Sequence, residues 1–375
     1  MKSIRLGFLV NPIAGMGGRV GLKGTDHMLK DATALHAKPI APGRALEFLM
    51  RLKELTLTRK VELITCPGVM GENEIRKAGL KATILSMPRR KETTAGDTKL
   101  AIGLMAKSAV ELTVFVGGDG TAKDILDAMC NKASLLVLGV PSGVKMYSGV
   151  FAASPRDAAD IVGDFLEGSA QIIDFEVMDA DEEAIRYDRL NVRLHGLLKG
   201  PFTPMRLLGS KHLSPETENE HESQVAVARF IAEEVKPDAT YILGPGTTIK
   251  CIADLLGVEK TVLGVDIYRD GKIVKDVNEK RILHEVKDWN STWVVLSPIG
   301  RQGMLLGRGN QQISPEIIRR VGKDRIIVVA TRSKIQGTEG GALRVDTGDQ
   351  EVDKMLRGHI KVATDYREWR LLEIA

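Results

Sequence analysis

The sequence predicts an α/β protein with two domains, a parallel α/β domain followed by a β-rich α/β domain. Apolar β-type segments alternate with helix-type segments through roughly the first 165 residues, which is typical of a parallel sheet covered by helices on both faces. Acidic residues then interrupt the pattern, and a second alternating segment follows. The length of 375 residues also suits about two domains. We therefore place a boundary at residue 170, which gives domains 1–170 and 171–375.

Strand and helix candidates take turns in the first domain. The strand candidates are short apolar runs rich in β-branched residues, at 4–10, 61–66, 82–87, 111–116 and 135–140. The helix candidates have apolar residues at helical spacing or begin at a capping residue, and they are 42–55, 93–110, the segment from Thr121 and 154–168. Ligands of open α/β sheets bind at the carboxyl ends of the strands, so the loops that follow these strands are the candidate sites.

The second domain repeats this alternation and then becomes richer in strands. Its helix candidates are 223–235, 247–256 and a segment near 277–287. Its strand candidates are "TYILG" at 240–244, "TVLGVDIY" at 261–268 and "WVVLSPI" at 293–299, and the segments after residue 325 also have β-type composition.

Composition excludes several classes of protein. The net charge of +4 is spread out, without the basic patch interleaved with aromatic residues that nucleic-acid binding requires. No apolar run reaches the 18 residues of a membrane helix, and the seven histidines lack the pairing of a zinc site. Three dispersed cysteines indicate reduced thiols, and no secretion signal is evident at the N-terminus. We therefore expect a cytoplasmic protein that binds neither nucleic acid nor a membrane.

The motif "GGDGT" at 117–121 breaks an apolar strand and precedes a helix. Its glycines let backbone N–H groups approach a phosphate, and the helix start adds free N–H groups and a positive dipole. Asp119 could take a proton from a substrate hydroxyl or help to hold Mg²⁺. The structural alternative is a tight strand-to-helix turn in which Asp119 serves as a cap.

Further loops have a similar composition. "NPIAGMGG" at 11–18 follows the first strand, and it is either a phosphate contact or a flexible connection. Lys145 is a cation among small residues, suitable for a phosphate or simply exposed. "GPGTT" at 244–248 follows a strand candidate, which again favours an anion site.

Two polar segments complete the candidates. "GRGNQQISP" at 307–315 offers Arg308, Asn310, Gln311 and Gln312 as donors before a helix capped by Ser314, and a capped loop is the alternative. "TTAGDT" at 93–98 could place Asp97 and Thr98 near the same site, or Asp97 could cap the following helix.

Taken together, these loops resemble the superfamily of NAD kinases, diacylglycerol and sphingosine kinases and phosphofructokinases. "VNPIAGMGG" and "VGGDGT" are similar to its signature segments. The combination with "VPSGVKMYSGVFA", "LGPGTT" and "GRGNQQISP" resembles the ATP-NAD kinase and AcoX-like branch. The implied fold is a Rossmann-like N-terminal domain and a β-rich C-terminal domain that completes an active-site cleft between them.

The resemblance implies roles for the residues that match its motifs. Asp119 would activate the acceptor hydroxyl. The implied contacts with nucleotide and phosphate come from Asn11, Gly15, Gly17, Gly18, Gly117, Gly118, Gly120, Thr121, Gly244, Gly246, Thr247 and Thr248. Typical NAD kinases also carry an Asn-Glu or Asn-Asp pair after GGDGT, whereas the pairs here, Asn219-Glu220 and Asn278-Glu279, stand in another setting.

The leading functional hypothesis is phosphoryl transfer from ATP or polyphosphate to a nucleotide hydroxyl, with NAD⁺ as the acceptor and NADP⁺ as the product. Mg²⁺ or another divalent cation would be the cofactor, held through phosphates, and no metal ligand is assigned. The ligands implied are NAD(H) and ATP, and a homo-oligomer is expected. Two alternatives are a kinase for another small-molecule or lipid hydroxyl and a non-catalytic NAD- and ATP-binding regulator of AcoX type.

Overall fold

A computed structural model of the chain describes residues 4–16, 39–56, 61–129, 135–143, 146–180, 192–203, 218–300, 303–338 and 341–375. The chain forms two compact units. The described residues up to 203 belong to the first unit, and those from 218 onward belong to the second. Gly17, Gly18 and Lys145, three of the candidate site residues, lie outside the described residues.

A five-stranded parallel sheet forms the centre of the first unit, in the order β3-β2-β1-β4-β5. Its strands are β1 (Ile4–Val10), β2 (Val61–Thr65), β3 (Thr83–Ile84), β4 (Leu112–Gly117) and β5 (Leu136–Pro141). Strand β4 is buried along its whole length, as expected for a central parallel strand with an uninterrupted apolar sequence. The parallel sheet predicted from the sequence is therefore confirmed.

The described part of this unit contains five α-helices, which are α1 (Ala41–Thr56), α2 (Glu72–Lys77), α3 (Ala95–Lys107), α4 (Asp119–Met129) and α5 (Pro155–Glu167). Helix α1 buries Ala45, Leu49 and Leu52, whose spacing places them on one side of a helix. Its Phe48 stacks on Phe8 of β1 with ring centroids 5.8 Å apart. This packing attaches the helix to the sheet.

The local sequence accounts for both ends of α5. The side chain of Ser154 accepts a hydrogen bond from the backbone N–H of Asp157 at 3.1 Å, and Pro155 occupies the first turn. At the other end Gly168 adopts a φ of 73°, a left-handed conformation that favours glycine. The helix predicted at 154–168 is confirmed within one residue at each end.

An antiparallel ribbon follows residue 170, formed by β6 (Gln171–Ala180) and β7 (Val192–Phe202). Phe175, Val177 and Leu198 of this ribbon are buried in the same apolar core as the five-stranded sheet. The first unit therefore continues past the boundary that we placed at 170, because the ribbon buries its apolar residues against that core.

The second unit contains a seven-stranded sheet in the order β10-β9-β8-β11-β13-β15-β16. Strands β8, β11, β13 and β15 are parallel, and antiparallel strands flank them on both sides. The strands are β8 (Thr240–Leu243), β9 (Asp266–Arg269), β10 (Lys272–Val274), β11 (Thr292–Leu296), β13 (Ile326–Val329), β15 (Gly358–Asp365) and β16 (Glu368–Ile374). The mixed, β-rich sheet agrees with the predicted fold class.

The remaining elements are helices and one small parallel sheet. The helices are α6 (Glu218–Glu233), α7 (Thr247–Leu255), α8 (Glu279–Glu285), α9 (Pro315–Val321), α10 (Arg332–Gln336) and α11 (Gln350–Leu356). Strands β12 (Met304–Leu306) and β14 (Arg344–Val345) pair in parallel. None of the helices in the described ranges combines the length and the apolar character needed to cross a membrane.

The strand predicted at 261–268 in the second unit was wrong for residues 261–265. The run at 261–268 was expected to be a strand throughout, but β9 begins only at Asp266. The carboxylate of Asp266 is buried, lies 3.7 Å from the ammonium of Lys260, and accepts hydrogen bonds from the N–H groups of Thr261 and Asp276. The chain therefore turns around this buried carboxylate instead of continuing as a strand.

Candidate functional site

Three loops of the first unit emerge at the carboxyl ends of β1, β4 and β5, which are neighbours in the sheet. Backbone hydrogen bonds join these loops: the N–H of Asn11 donates to the carbonyl of Val116 at 2.9 Å, and the N–H of Ser142 donates to that of Gly117 at 3.0 Å. The segments "NPIAG", "GGDGT" and the described part of "PSGVKMYSG" therefore lie together at one edge of the sheet, as the parallel topology requires.

Two glycines relieve steric conflicts at this edge of the sheet, one between two loops and one within the GGDGT turn. Gly15 has a φ of 79°, and a Cβ atom there would lie 1.8 Å from the carbonyl oxygen of Ser142. A Cβ on Gly117 would lie 2.5 Å from Oγ1 of Thr121. Glycine at position 15 therefore lets two loops meet, and glycine at position 117 makes room for Thr121 within the GGDGT turn, apart from any ligand.

Asn11 and Thr121 contact each other directly across two of the loops. The side-chain amide of Asn11 donates to Oγ1 of Thr121 at 2.9 Å, and its Oδ1 accepts from the N–H of Ile13 at 3.3 Å. These bonds connect the end of β1 to the first turn of α4. Two residues that the resemblance placed in one site thus belong to one hydrogen-bonded group.

The carboxylate of Asp119 connects the GGDGT loop to the segment that follows β5. Its Oδ2 accepts from the N–H of Tyr147 at 2.6 Å, and its Oδ1 accepts from that of Ser148 at 3.1 Å. The residue is only half-buried, although its carboxylate is anchored by charge-assisted hydrogen bonds. Burial and the negative charge of Asp119 both raise the pKa of the Tyr147 hydroxyl. The carboxylate is therefore held rigidly at a partly open edge of the sheet.

The helix that follows the GGDGT motif starts earlier than predicted. Helix α4 begins at Asp119, two residues before the expected start at Thr121. The N–H groups of Thr121 and Ala122 both donate to the carbonyl of Gly118, which closes the first turn. Gly118 and Gly120 are half-buried, and a Cβ on Gly118 would lie 3.5 Å from Cα of Gly143. The carboxylate thus lies on the first turn of the helix and not before it.

In the second unit, the "GPGTT" segment follows β8, and Thr247 begins α7. Gly246 is the N-cap with a φ of 123°, and no side chain caps the helix. The N–H of Gly244 donates to the carbonyl of Val295 in β11 at 2.9 Å, and Thr248 is buried. The segment therefore lies at the carboxyl end of a parallel strand, as predicted, and it exposes helix N–H groups that suit an anion.

The "GRGNQQISP" loop follows β12, and its own asparagine stabilises it. Oδ1 of Asn310 accepts from the N–H of Gly307 at 3.0 Å, and its amide donates to the carbonyl of Leu305 at 2.9 Å. Both polar groups of this buried side chain therefore serve the loop itself. Gly307 approaches the segment after β14, where a Cβ atom would lie 2.5 Å from the carbonyl oxygen of Asp346.

The same loop buries further polar side chains of the predicted set. Arg308, Gln312 and Ser314 are all buried. Oε1 of Gln312 and Oγ of Ser314 have no hydrogen-bond partner among the described residues. Ser314 occupies the N-cap position of α9, but its hydroxyl does not make the predicted capping bond. Buried polar groups of this kind are normally satisfied, so this loop is suited to a polar ligand or to water.

A comparison with models of protein families shows the family to which this chain belongs. Residues 6–170 match the model of the ATP-NAD kinase N-terminal domain, and residues 237–374 match that of the ATP-NAD kinase C-terminal domain. The chain belongs to the ATP-NAD kinase family. The family resemblance inferred from the loops is confirmed, and membership supports an ATP-dependent phosphotransferase of the NAD kinase type. A search of curated proteins finds no match.

In this member of the ATP-NAD kinase family, Asp97 has a structural role at the start of α3. Its Oδ2 accepts hydrogen bonds from the N–H and the hydroxyl of Thr94, both at 2.9 Å, and these bonds form a capping box at the start of α3. Arg90 pairs with its other oxygen at 3.1 Å, and Asp97 and Thr98 are both buried. The capping alternative is thus observed, and a ligand contact by these two residues stays a prediction.

Ser297, Thr331 and Lys334 of this kinase were not predicted from the sequence as site residues, and they lie together with Glu220 in the second unit. The ammonium of Lys334 donates to Oγ of Ser297 at 3.0 Å, and Glu220 accepts a hydrogen bond from the hydroxyl of Thr331 at 2.7 Å. Ser297 and Thr331 each follow the end of a parallel strand, a position that is visible in the sequence. The pairing of Lys334 with Ser297 is not visible, because 37 residues separate them.

The two Asn-Glu pairs have different surroundings in the fold. Oδ1 of Asn278 accepts from the N–H of Arg281 at 2.9 Å, so Asn278 is the N-cap of α8. Glu220, in contrast, binds the hydroxyls of Thr331 and Ser333 after β13. Across the described residues, no group of three or more His, Cys, Asp or Glu side chains has the arrangement of a metal site.

Proposed function

We propose that this protein phosphorylates a hydroxyl group of NAD⁺ with ATP as the donor, giving NADP⁺ and ADP. The observation that carries this proposal is the position of Asp119. Its carboxylate is half-exposed, held by two backbone N–H groups, and surrounded by glycine-lined loops at the carboxyl edge of a parallel sheet. Ligands of open α/β sheets bind at such edges.

Asp119 acts as the general base in this mechanism. Its carboxylate accepts the proton of the acceptor hydroxyl as the hydroxyl oxygen forms a bond to the γ-phosphorus of ATP. The bond between that phosphorus and the bridging oxygen breaks, and ADP leaves with the electron pair. Phosphoryl transfer depends mainly on positioning and on neutralisation of charge, and the anchoring of Asp119 by Tyr147 and Ser148 contributes to positioning.

The glycine-containing loops supply backbone donors for phosphate groups. Gly118 and Gly120 lie on either side of Asp119 and are half-buried, so their backbone can approach a ligand closely. Asn11 and Thr121 keep these loops in register through their mutual hydrogen bond. Thr247 and Thr248, the first residues of α7, offer a further group of N–H donors in the second unit.

Mg²⁺ would neutralise negative charge on the phosphates during transfer. This ion commonly keeps several waters and binds through one or two carboxylates together with substrate phosphates. Since Asp119 serves as the base, the proposal assigns no protein ligand to the metal, which would be held through the phosphates.

A product assay tests the proposal. The purified protein is incubated with Mg²⁺, with ATP or polyphosphate as donor, and with NAD⁺, NADH or other hydroxyl compounds as acceptors, and products are identified by mass spectrometry. We expect NADP⁺ to form together with an equal amount of ADP. Phosphorylation of another acceptor would overturn the choice of NAD⁺, and a phosphorylated product from polyphosphate alone would overturn the choice of ATP. Tight binding of NAD⁺ and ATP without a phosphorylated product from either donor would overturn the catalytic role.

Assembly and location remain predictions. We expect a homo-oligomer, which light scattering after size-exclusion chromatography would measure as a mass of at least two chains. We also expect a cytoplasmic protein, which fractionation of the source cells would test.

A further inference from the structure

A group of polar side chains lies at the carboxyl ends of β11 and β13, apart from the loops treated above. Ser297 follows β11 directly and is buried. Lys334 lies on α10, which starts shortly after β13, and its ammonium donates to Oγ of Ser297 at 3.0 Å. Strands β11 and β13 are parallel neighbours, so their carboxyl ends lie at the same edge of the sheet.

The position of Lys334 is held from two directions. Oγ1 of Thr331 accepts from the N–H of Lys334 at 3.3 Å and donates to Oε1 of Glu220 at 2.7 Å. Ser333 binds the other oxygen of Glu220. These bonds attach the first turn of α10 to α6 and fix the backbone from which the Lys334 side chain reaches Ser297.

The electrostatics of this group favour a negatively charged ligand. Burial lowers the pKa of the Lys334 ammonium to about 8, and the charge of Glu220 opposes this effect without cancelling it. A protonated amine in such a place is poorly solvated, and an anion beside it would compensate its charge. Glu220 is itself bound by the hydroxyls of Thr331 and Ser333.

The start of helix α7 lies beside Ser297. A Cβ atom on Gly246 would be 4.0 Å from Cβ of Ser297, so the "GPGTT" turn and Ser297 are neighbours. Strand β8, which precedes this turn, is parallel to β11. The lysine, the hydroxyl of Ser297 and the first N–H groups of a nine-residue helix therefore lie along one edge of three adjacent strands.

We infer that Lys334 and Ser297, together with the first turn of α7, form a phosphate-binding site in the second unit. The ligand is a phosphate or pyrophosphate group, with Lys334 providing the charge and Ser297 and the helix N–H groups providing hydrogen bonds. The identification of that group as part of a nucleotide rests on the proposed function, whereas the anion site itself does not.

Calorimetry tests the site directly. Binding of pyrophosphate, ATP and NAD⁺ is measured for the wild-type protein, for Lys334→Met and for Lys354→Met. Lys354 is an exposed residue of α11 paired with Glu351, so its variant loses the same charge elsewhere in the same unit. We expect Lys334→Met to weaken binding of at least one of the three ligands by about 10- to 100-fold, the loss typical of a charged hydrogen bond. Lys354→Met should bind as the wild type does.

Proton uptake gives a second measurement. Since the pKa of Lys334 is about 8, binding of an anion at pH 8 should take up about half a proton, seen as a binding heat that depends on the buffer. Glu220 is the charged group that faces Lys334, and Arg332 on the same helix pairs with Asp365 and Glu368. We expect the uptake to disappear in Lys334→Met and to persist in Lys354→Met.

The outcomes separate this inference from the proposed function. If NADP⁺ is formed but Lys334→Met binds all three ligands as tightly as the wild type and with the same proton uptake, the phosphate site is wrong and the kinase proposal stands. If no phosphorylated product is found but binding depends on Lys334, the kinase proposal is wrong and the site stands. Equal losses in Lys334→Met and Lys354→Met would also overturn the inference, because they would indicate a general effect of charge.

Discussion

The carboxyl ends of the parallel strands in the two sheets carry opposite charges that are held by different contacts. In the first unit, the carboxylate of Asp119 is anchored by the backbone N–H groups of Tyr147 and Ser148 and stays half-exposed. In the second unit, the ammonium of the half-buried Lys334 donates to the hydroxyl of Ser297, and burial lowers its pKa to about 8. The first arrangement suits removal of a proton, and the second suits binding of negative charge. Phosphoryl transfer requires both functions.

The largest effect should come from Asp119→Asn. Asparagine keeps the size of the side chain but cannot act as a base, so we expect kcat to fall by about 10²- to 10⁴-fold while nucleotide binding stays measurable. Steady-state formation of NADP⁺ and calorimetry measure the two quantities.

Ser148→Ala is the matched control for this variant. It removes the hydrogen bond between Oγ of Ser148 and the N–H of Met178, and so loosens the same loop without touching the carboxylate. We expect it to retain most of its activity. Equal activities of the two variants would mean that Asp119 serves only to anchor the loop.

Gly15→Ala should disrupt the loops at the carboxyl edge of the five-stranded sheet by steric conflict. The new Cβ would overlap the carbonyl of Ser142, and alanine is strained at a φ of 79°. We expect the free energy of unfolding in urea to decrease by about 2–5 kcal/mol. Gly43→Ala is the control, since Gly43 lies in the first turn of α1 with no atom within 4 Å of the new Cβ. Destabilisation by Gly43→Ala of the same size would contradict the steric explanation.

Asn310→Ala tests whether the asparagine of the second unit is structural. The substitution leaves the buried N–H of Gly307 and carbonyl of Leu305 without their side-chain partner, so we expect a loss of about 2–3 kcal/mol in urea unfolding. Asn278→Ala removes the side-chain cap of α8, and we expect a loss of about 1 kcal/mol. Unchanged stability of Asn310→Ala together with lost nucleotide binding would show that Asn310 contacts the ligand instead.

The smallest effect is a pH dependence caused by Lys334. Folding lowers its pKa from 10.5 to about 8, so between these values the unfolded chain binds the proton and the folded chain does not. Stability therefore rises with pH in this window through this group. The free energy of unfolding of the wild type minus that of Lys334→Met should increase by about 1–2 kcal/mol from pH 7.5 to pH 9.5. A flat difference would mean that Lys334 is well solvated.

Much of the first unit could be predicted because its signals are local. Continuous apolar runs identified the buried parallel strands, and Ser154-Pro155 and Gly168 marked the ends of α5. The strand prediction for 261–268 was partly wrong. This mostly apolar segment contains Asp266, whose buried carboxylate pairs with Lys260 inside the unit. Burial of a charged pair depends on distant neighbours, so a strand pattern cannot reveal it.

The candidate site was predicted in part for the same reason. Asn11, Asp119 and Gly246 stand in recognisable motifs at strand ends, and the parallel topology brought the loops of each sheet to one edge. The partners of these residues could not be read from the motifs. Asn310 appeared to be a ligand donor, yet both of its polar groups hold its own loop.

The sequence by itself determined the family, the two sheets and the glycine loops at their edges, because strand periodicity and motif spacing are properties of neighbouring residues. Only the tertiary structure decided which groups meet. It bound Asp119 to the N–H groups of Tyr147 and Ser148 and brought Lys334 to Ser297. The physical reason is that these contacts join separate loops, and their distances are set by the packing of strands and helices and not by the order of residues along the chain.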